Sequence, residues 1–262
     1  FELFRTMCIL FLAINQHSDY PLIICANRDE FHHRPTKAAH FWTEYPDMLA
    51  GKDLQAGGSW LGINKAGKFA AITNLRTGRP LAENKKSRGE LVTLTLAENS
   101  IITKDWLEHN CHQYNPFNLI YGRLQDLSCF NSGSGQQSVL KDGFHAISNG
   151  SMDDVWPKMA KGERQLESVV KSNKSIDAEV LLTLLMDQEK VESQDLPKTG
   201  LTTDWEHLLS SIFICSERYG TRSSSLILQK AESGIEFVEA EYDIQGNRVN
   251  QTLFSFSLNN NS

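Results

Sequence analysis

Two short apolar runs, CILFLAI at residues 8–14 and PLIICA at 21–26, stand on either side of the polar stretch NQHSD at 15–19. Each run is too short for an ordinary buried helix, and the polar gap between them supplies a turn, so the pair predicts a β-hairpin. Neither run alternates between apolar and polar residues. Both faces of the hairpin must therefore be covered. A chain built on such a hairpin needs a layer on each side of a sheet.

The rest of the chain offers those layers. Residues 59–64 and 69–74 flank Lys65-Ala66-Gly67-Lys68, a second hairpin with a glycine where positive φ is expected. The period then changes. Ser87-Arg88-Gly89-Glu90 has capping-box spacing ahead of Leu91, Val92, Leu94 and Leu96, which predicts a helix from about residue 88. Thr103 is placed to cap a short helix running through His109. Strand-like runs return at 117–124 and 145–148, with the Gly/Ser stretch 131–136 as a hairpin loop. Trp156-Pro157 sets a proline at a first helical position, and Met159, Leu166, Val169 and Val170 form an apolar stripe behind it. A further helix is expected over 178–186, then strands at 211–215, 223–229 and 235–242. This order predicts an α+β fold, a four-layer αββα sandwich of two antiparallel sheets flanked by helices. With no repeat, linker or break in composition, residues 1–262 read as one domain, and Phe1–Thr6 as an extension ahead of Met7.

Composition narrows the partners. Of 262 residues 22% are charged, the net charge is −6, and no basic run exceeds Lys85-Lys86. Nucleic acid binding needs a concentrated cationic surface, so it is not expected. No apolar stretch reaches the length of a membrane span. The five cysteines are scattered without a CxxC pair, which fits free thiols in the cytoplasm better than disulfides or a structural zinc site.

Two readings of Cys8 stand. It is a small buried hydrophobe in a first strand, or it is a nucleophile at a chain terminus that appears once Met7 is removed. A free α-amine titrates at about 7.7–8.0 and can take the proton of its own side chain's thiol. Ala26-Asn27-Arg28-Asp29-Glu30 ends the second strand of the predicted hairpin, which places Arg28 and Asp29 near Cys8. A guanidinium there favours thiolate, and a carboxylate can orient an α-ammonium. The plainer reading of RDE is a solvated charge cluster at a strand end. His32, His33 and His145 lack the spacing of HExxH or CxxCH, so no metal is expected.

MCILFLAIN, ANRDEF, GGSWLGINKAGKFAAITNLR, HAISNGSMDDVWPK and YGTRSS together resemble the NRDE family, which includes the transport and Golgi organisation protein 2 group. That family in turn is similar to N-terminal-nucleophile (Ntn) hydrolases, among them choloylglycine hydrolases and penicillin V acylases. The resemblance implies Cys8 as nucleophile with Arg28 and Asp29 beside it. It also implies Asn74 at the oxyanion, Asn149 near the terminal amine, and Arg222 as a late-strand arginine of the site. Asn27, Glu30, Trp60, Arg76, His145 and Trp156 complete the expected ligand-binding set. The activity implied is cleavage of a small non-peptide C–N amide bond, with no cofactor required. The alternative implied is a haem-trafficking protein on the same scaffold, with haem as cargo. A scaffold role in membrane trafficking finds no support in charge pattern or amphipathicity.

Overall fold

Strand β1 (Met7–Ile14) pairs antiparallel with β2 (Leu22–Phe31) from Met7↔Asp29 to Ile14↔Leu22, the hairpin that the apolar runs demand. The computed structural model describes residues 7–77, 80–150, 154–172, 174–232 and 234–259. The expected extension Phe1–Thr6 lies outside them.

Two sheets form. The first has six strands in the order β10-β1-β2-β11-β12-β13, where β10 is Gly143–Ile147, β11 Tyr219–Gln229, β12 Gly234–Tyr242 and β13 Arg248–Ser257. The second has seven, β3 to β9 in chain order: Thr36–Phe41, Met48–Asp53, Leu61–Asn64, Lys68–Asn74, Phe117–Arg123, Asp126–Asn131 and Gln136–Val139. All pairings within these sheets are antiparallel. Helices α1 (Gly89–Leu96) and α2 (Lys104–Asn110) cover the outer face of the second sheet. Helices α3 (Pro157–Ser172) and α4 (Ala178–Leu185) cover the outer face of the first. The result is the four-layer αββα sandwich of two antiparallel sheets.

The hairpin explains why three apolar layers fit together. Leu10, Leu12 and Ile14 of β1, with Leu22 and Ile24 of β2, pack between the sheets against Leu49, Ile63, Phe69 and Ile120. Ile9, Phe11 and Ala13, with Ile23 and Cys25, pack instead against α3 and α4. Alternation along each strand thus feeds two separate cores. Burying each such large side chain contributes roughly 1.5–3 kcal/mol. Helix α3 can lie this close because Gly162 faces the Phe11 ring; a Cβ there would collide with it.

Three local expectations change. The segment 211–215 is not a strand: it runs as a connection whose Ile212 carbonyl is bound by the Asn27 side chain. Helix α1 carries no side-chain cap, since Glu90 Nα–H donates to the Ser87 carbonyl and the Glu90 carboxylate accepts from the Tyr114 hydroxyl. Strands β3, β4 and β13 were not expected. In β13 only Phe254 and Phe256 reach the core, and its other apolar residues, Val249 and Leu253, are exposed, so its pattern carries little strand signal. Thr103 does cap α2, accepting from the Trp106 amide at 3.1 Å.

Candidate functional site

The alternation that builds the two cores also sorts the polar end of the hairpin. On β2, Leu22, Ile24 and Ala26 face the second sheet, so Arg28 and Glu30 do too. Ile23 and Cys25 face the helices, and Asn27 and Asp29 follow them. Cys8 is directly opposite Arg28 and shares its face; Met7 is opposite Asp29 and shares the other.

On the inter-sheet side a cavity of about 750 Å³ is lined by Cys8, Arg28, Glu30, Arg34, Trp60 and Asn74, with Lys85, Lys86 and Arg88 along one wall. The Arg28 guanidinium lies 4.3 Å from the centre of the Trp60 ring and donates to Thr36 Oγ1 at 3.0 Å. The Trp60 ring is seated against Gly51, where any Cβ would overlap it. Charge continues outward in a chain: Arg28 to Glu30 at 3.8 Å, Glu30 to Arg34 at 3.5 Å, Arg34 to Asp53 at 2.6 Å. Arg28 is 2% exposed and its Nε–H has no partner. Burial, and then the Asp29 charge, push the Cys8 thiol up to about 12, while Arg28 pulls it down. Cys8 as found here, with a peptide nitrogen, is a thiol at neutral pH.

On the helix side lies a closed cluster. Asp29 Oδ1 accepts from the Thr221 hydroxyl at 2.7 Å, and Oδ2 has no partner. Burial raises this carboxyl to about 6, against the pull of Lys158, Thr221, Arg28 and Arg76. The Met7 amide donates to the Tyr219 hydroxyl at 2.8 Å. Arg76 covers the Met7 sulfur with Nε at 3.4 Å, pairs with Glu206 at 2.9 Å, and stacks 4.6 Å from the Trp156 ring centre. Lys158 of α3, 4% exposed, donates to the Leu209 carbonyl at 2.9 Å.

The remaining expected residues are distributed as follows. Asn74 ends β6 at the cavity. Asn149 is buried beside it, donating to the Asn74 carbonyl at 3.0 Å and accepting from Ser148 Oγ, which also donates to the Cys8 carbonyl at 3.1 Å. Asn149 thus holds the Asn74 backbone directly, and the adjacent Ser148 holds the strand bearing Cys8. Arg222 sits at a bulge in β11 and donates to the carbonyls of Phe31, His32 and Arg34, fixing the turn that carries Arg34. Asn27 donates to the carbonyls of Leu185 and Ile212, bracing the helix layer. Arg76 and Trp156 belong to the helix-side cluster, away from the cavity. His145 is hydrogen-bonded to the Lys141 carbonyl at 2.7 Å and lies apart from both. Among the described residues no cluster of His, Cys, Asp and Glu could hold a metal.

Sequence reasoning did not single out Lys158, Glu206, Tyr219 or Thr221 as site residues. Lys158 stands in the VWPK motif, directly after the proline that starts α3, but nothing in the motif says that its side chain is buried. Tyr219 and Thr221 come from a strand far along the chain that the β2–β11 pairing brings in, and Glu206 comes from the helix Thr203–Leu208 through its ion pair with Arg76.

A family model described as Transport and Golgi organisation 2 matches residues 7–244. The chain is 31% identical to the mouse Transport and Golgi organization 2 homolog over 96% of its own length and 99% of the relative's. It is 32% identical to the human homolog, over 89% of this chain and 92% of that one. Among solved structures it is similar to an N-acylethanolamine-hydrolyzing acid amidase ortholog from Caenorhabditis elegans, at 8% identity and TM-score 0.40, covering 84% of this chain and 92% of that one. A mutant of conjugated bile acid hydrolase from Clostridium perfringens gives 10% identity and TM-score 0.40, covering 98% and 85%.

Proposed function

This chain belongs to the Transport and Golgi organisation 2 family, and from its geometry we propose that it is a thiol-dependent amidohydrolase of the Ntn kind, acting on a small non-peptide C–N bond. The observation that carries this reading is the placement of Cys8 across the faces of one hairpin. Its side chain shares the cavity floor with Arg28, while its backbone nitrogen lies by the Met7–Asp29 pair, where Asp29 Oδ2 has no partner.

The reading requires cleavage of the Met7–Cys8 bond, which frees an α-amine at that position. In the first step the thiol proton passes to this amine as Sγ attacks the amide carbonyl. The amine then gives that proton to the departing nitrogen, the C–N bond breaks, and a thioester remains on Cys8. Water, losing its proton to the same amine, hydrolyses the thioester; the amine returns the proton to the Cys8 sulfur as the carboxylic acid leaves. Asn74 and a backbone N–H stabilise the oxyanion, a contribution of about 3–4 kcal/mol per donor in comparable sites. Arg28 favours the thiolate. Asp29 accepts from the α-amine and orients it.

A protein that begins at Cys8 is expected to be alkylated at Cys8 by iodoacetamide near neutral pH and to release acyl product from one member of an amide panel. Its Cys8→Ser counterpart should do neither, and the protein retaining Met7 should be slow in both. Equal behaviour of Cys8→Ser and wild type would remove the mechanism.

Haem carriage is the second reading, favoured by the cations Arg28, Arg34, Lys85, Lys86 and Arg88 that line the cavity and suit two propionates. Of the described lining residues only Cys8 offers an axial ligand. Haem titration should then give a saturable Soret shift that Cys8→Ala alters. Five free cysteines suit a reducing compartment, the cytoplasm in this reading. Among the described residues no helix is long and apolar enough to cross a membrane.

A further inference from the structure

Behind the nucleophile's strand the structure keeps two buried cations and two buried carboxylates in one closed cluster. Three of the four charges have at least one direct contact with a charged or hydroxyl partner, although Arg76 Nη2 and Asp29 Oδ2 stay unpartnered among the described residues. Arg76 and Glu206 form an ion pair, and Glu206 also accepts from the amide and hydroxyl of Thr199. Asp29 is held on one oxygen by Thr221. Lys158 has only the Leu209 carbonyl, a neutral acceptor, and forms no direct ion pair among the described residues. A lysine taken wholly out of water needs an anion. The one anion here with an unfilled lone pair is Asp29, whose Oδ2 is bare.

We infer that Lys158 is a positioning residue for the Cys8 end of the chain: it is the counter-cation that holds Asp29 ionised, and with Arg76 it disfavours a proton on a nitrogen at the Cys8 position. This rests on the proposed hydrolase and deepens it. Asp29 alone would do half of what that mechanism needs. A carboxylate beside a free α-amine orients it but also stabilises the ammonium, which is no base. A cation on the far side of the carboxylate offsets this, keeping the amine neutral enough to take the thiol proton while leaving the orienting hydrogen bond in place. Helix α3 delivers the cation because Pro157 starts the helix at a fixed point and Gly162 lets it lie against Phe11 of β1.

The titratable groups within electrostatic reach of Asp29 are Lys158 from α3, Arg76 after β6 and Tyr219 from β11, with Cys8 of β1 and Arg28 of β2 acting from the opposite face of the hairpin; Glu206 from helix α5 (Thr203–Leu208) acts on Lys158. Burial raises the Asp29 carboxyl and lowers the Lys158 ammonium, and each charge acts on the other, so loss of the lysine proton is felt at the carboxyl. The cation's effect on the carboxyl is therefore readable in the intact chain without any substitution.

The experiment is a carbon-13 titration of the full chain labelled at the aspartate carboxyl carbon, with the Asp29 resonance assigned by its loss in Asp29→Asn. In wild type the Asp29 signal should show its own inflection, above the ordinary carboxylate range, and a second, smaller one at higher pH, below the ordinary lysine range, as Lys158 loses its proton. Lys158→Arg should keep the first and abolish the second. Lys158→Met should abolish the second and move the first upward by about one unit. A wild-type curve with a single inflection overturns the inference, and so does a Lys158→Met curve that coincides with wild type. The hydrolase fails separately. Two inflections in a protein that, beginning at Cys8, releases no acyl product would leave Lys158 paired with Asp29 and remove the amidase. Turnover with a single inflection would do the reverse.

Discussion

The two faces of the β1–β2 hairpin begin alike and end differently. From residue 8 to 14 and from 22 to 26, one face packs on a sheet and the other on helices, each through aliphatic and aromatic side chains. Past Ala26 the inter-sheet face opens into a cavity, where Arg28 and Glu30 join a line of charges running outward to Asp53. The helix face stays shut. Asn27 and Asp29 are as polar as their neighbours but meet Leu185, Ile212, Thr221 and Lys158 from other elements. Four consecutive residues, Asn27 to Glu30, thus serve two chemistries because a strand turns alternate side chains to opposite sides. The open face can receive a ligand. The closed one can tune the terminus that would act on it.

That contrast can be broken most sharply on the closed side. Glu206→Ala leaves Arg76 buried without its anion, and a loss of about 3–5 kcal/mol is expected in denaturant unfolding. A loss below about 1 kcal/mol, the range of exposed pairs, would mean that water reaches the cluster and that the face is not shut.

The inter-sheet face carries its own buried acid farther along. Glu239 of β12 accepts from the Ala39 amide at 2.5 Å, reaching from one sheet to a bulge in β3 of the other. Burial raises it to about 7. Because the folded value lies above the unfolded one, its contribution to stability is fully present below about 4.5 and is lost as pH rises through about 7. Over that window wild type should lose up to about 1.4 kcal/mol per pH unit relative to Glu239→Gln. Parallel curves for the two proteins would contradict a buried, protonated Glu239.

On the open face, Arg28→Met should cost less than the loss of Glu206, about 1.5 kcal/mol, since Glu30 keeps Arg34 as a partner. It should also raise the Cys8 thiol further and slow its alkylation, because the nearby cation that lowers it is gone. A stability cost larger than that of Glu206→Ala would erase the distinction between the faces. The smallest expected effect lies away from both: Thr103→Ala removes the α2 cap and should cost about 1 kcal/mol.

How much of this was legible in the sequence follows from range. The hairpin, the Gly67 turn, the Thr103 cap and the proline start of α3 are local signals, and each appears where residues a few positions apart dictate it. The capping-box spacing at Ser87–Glu90 marked the start of α1, although no side-chain cap forms, because the Glu90 carboxylate accepts instead from Tyr114, twenty-four residues on. The segment 211–215 has strand composition, but its buried apolar side chains pack beneath the helix layer without joining a sheet. For the site, strand pairing alone set Arg28 opposite Cys8 and Asp29 opposite Met7. What pairing did not convey was which face each residue takes, and with it the separation of Arg76 and Trp156 from the cavity. Lys158 and Glu206 enter through helix placement, which no short motif encodes.

Both faces matter to chemistry only if the Cys8 nitrogen, set by the closed one, becomes a free amine. Intact mass of the protein isolated from its own cells tests this directly. A mass corresponding to a chain that begins at Cys8 is the predicted result. A mature protein that keeps Met7, with its amide on the Tyr219 hydroxyl, would leave Cys8 a buried thiol without a base and would contradict the account.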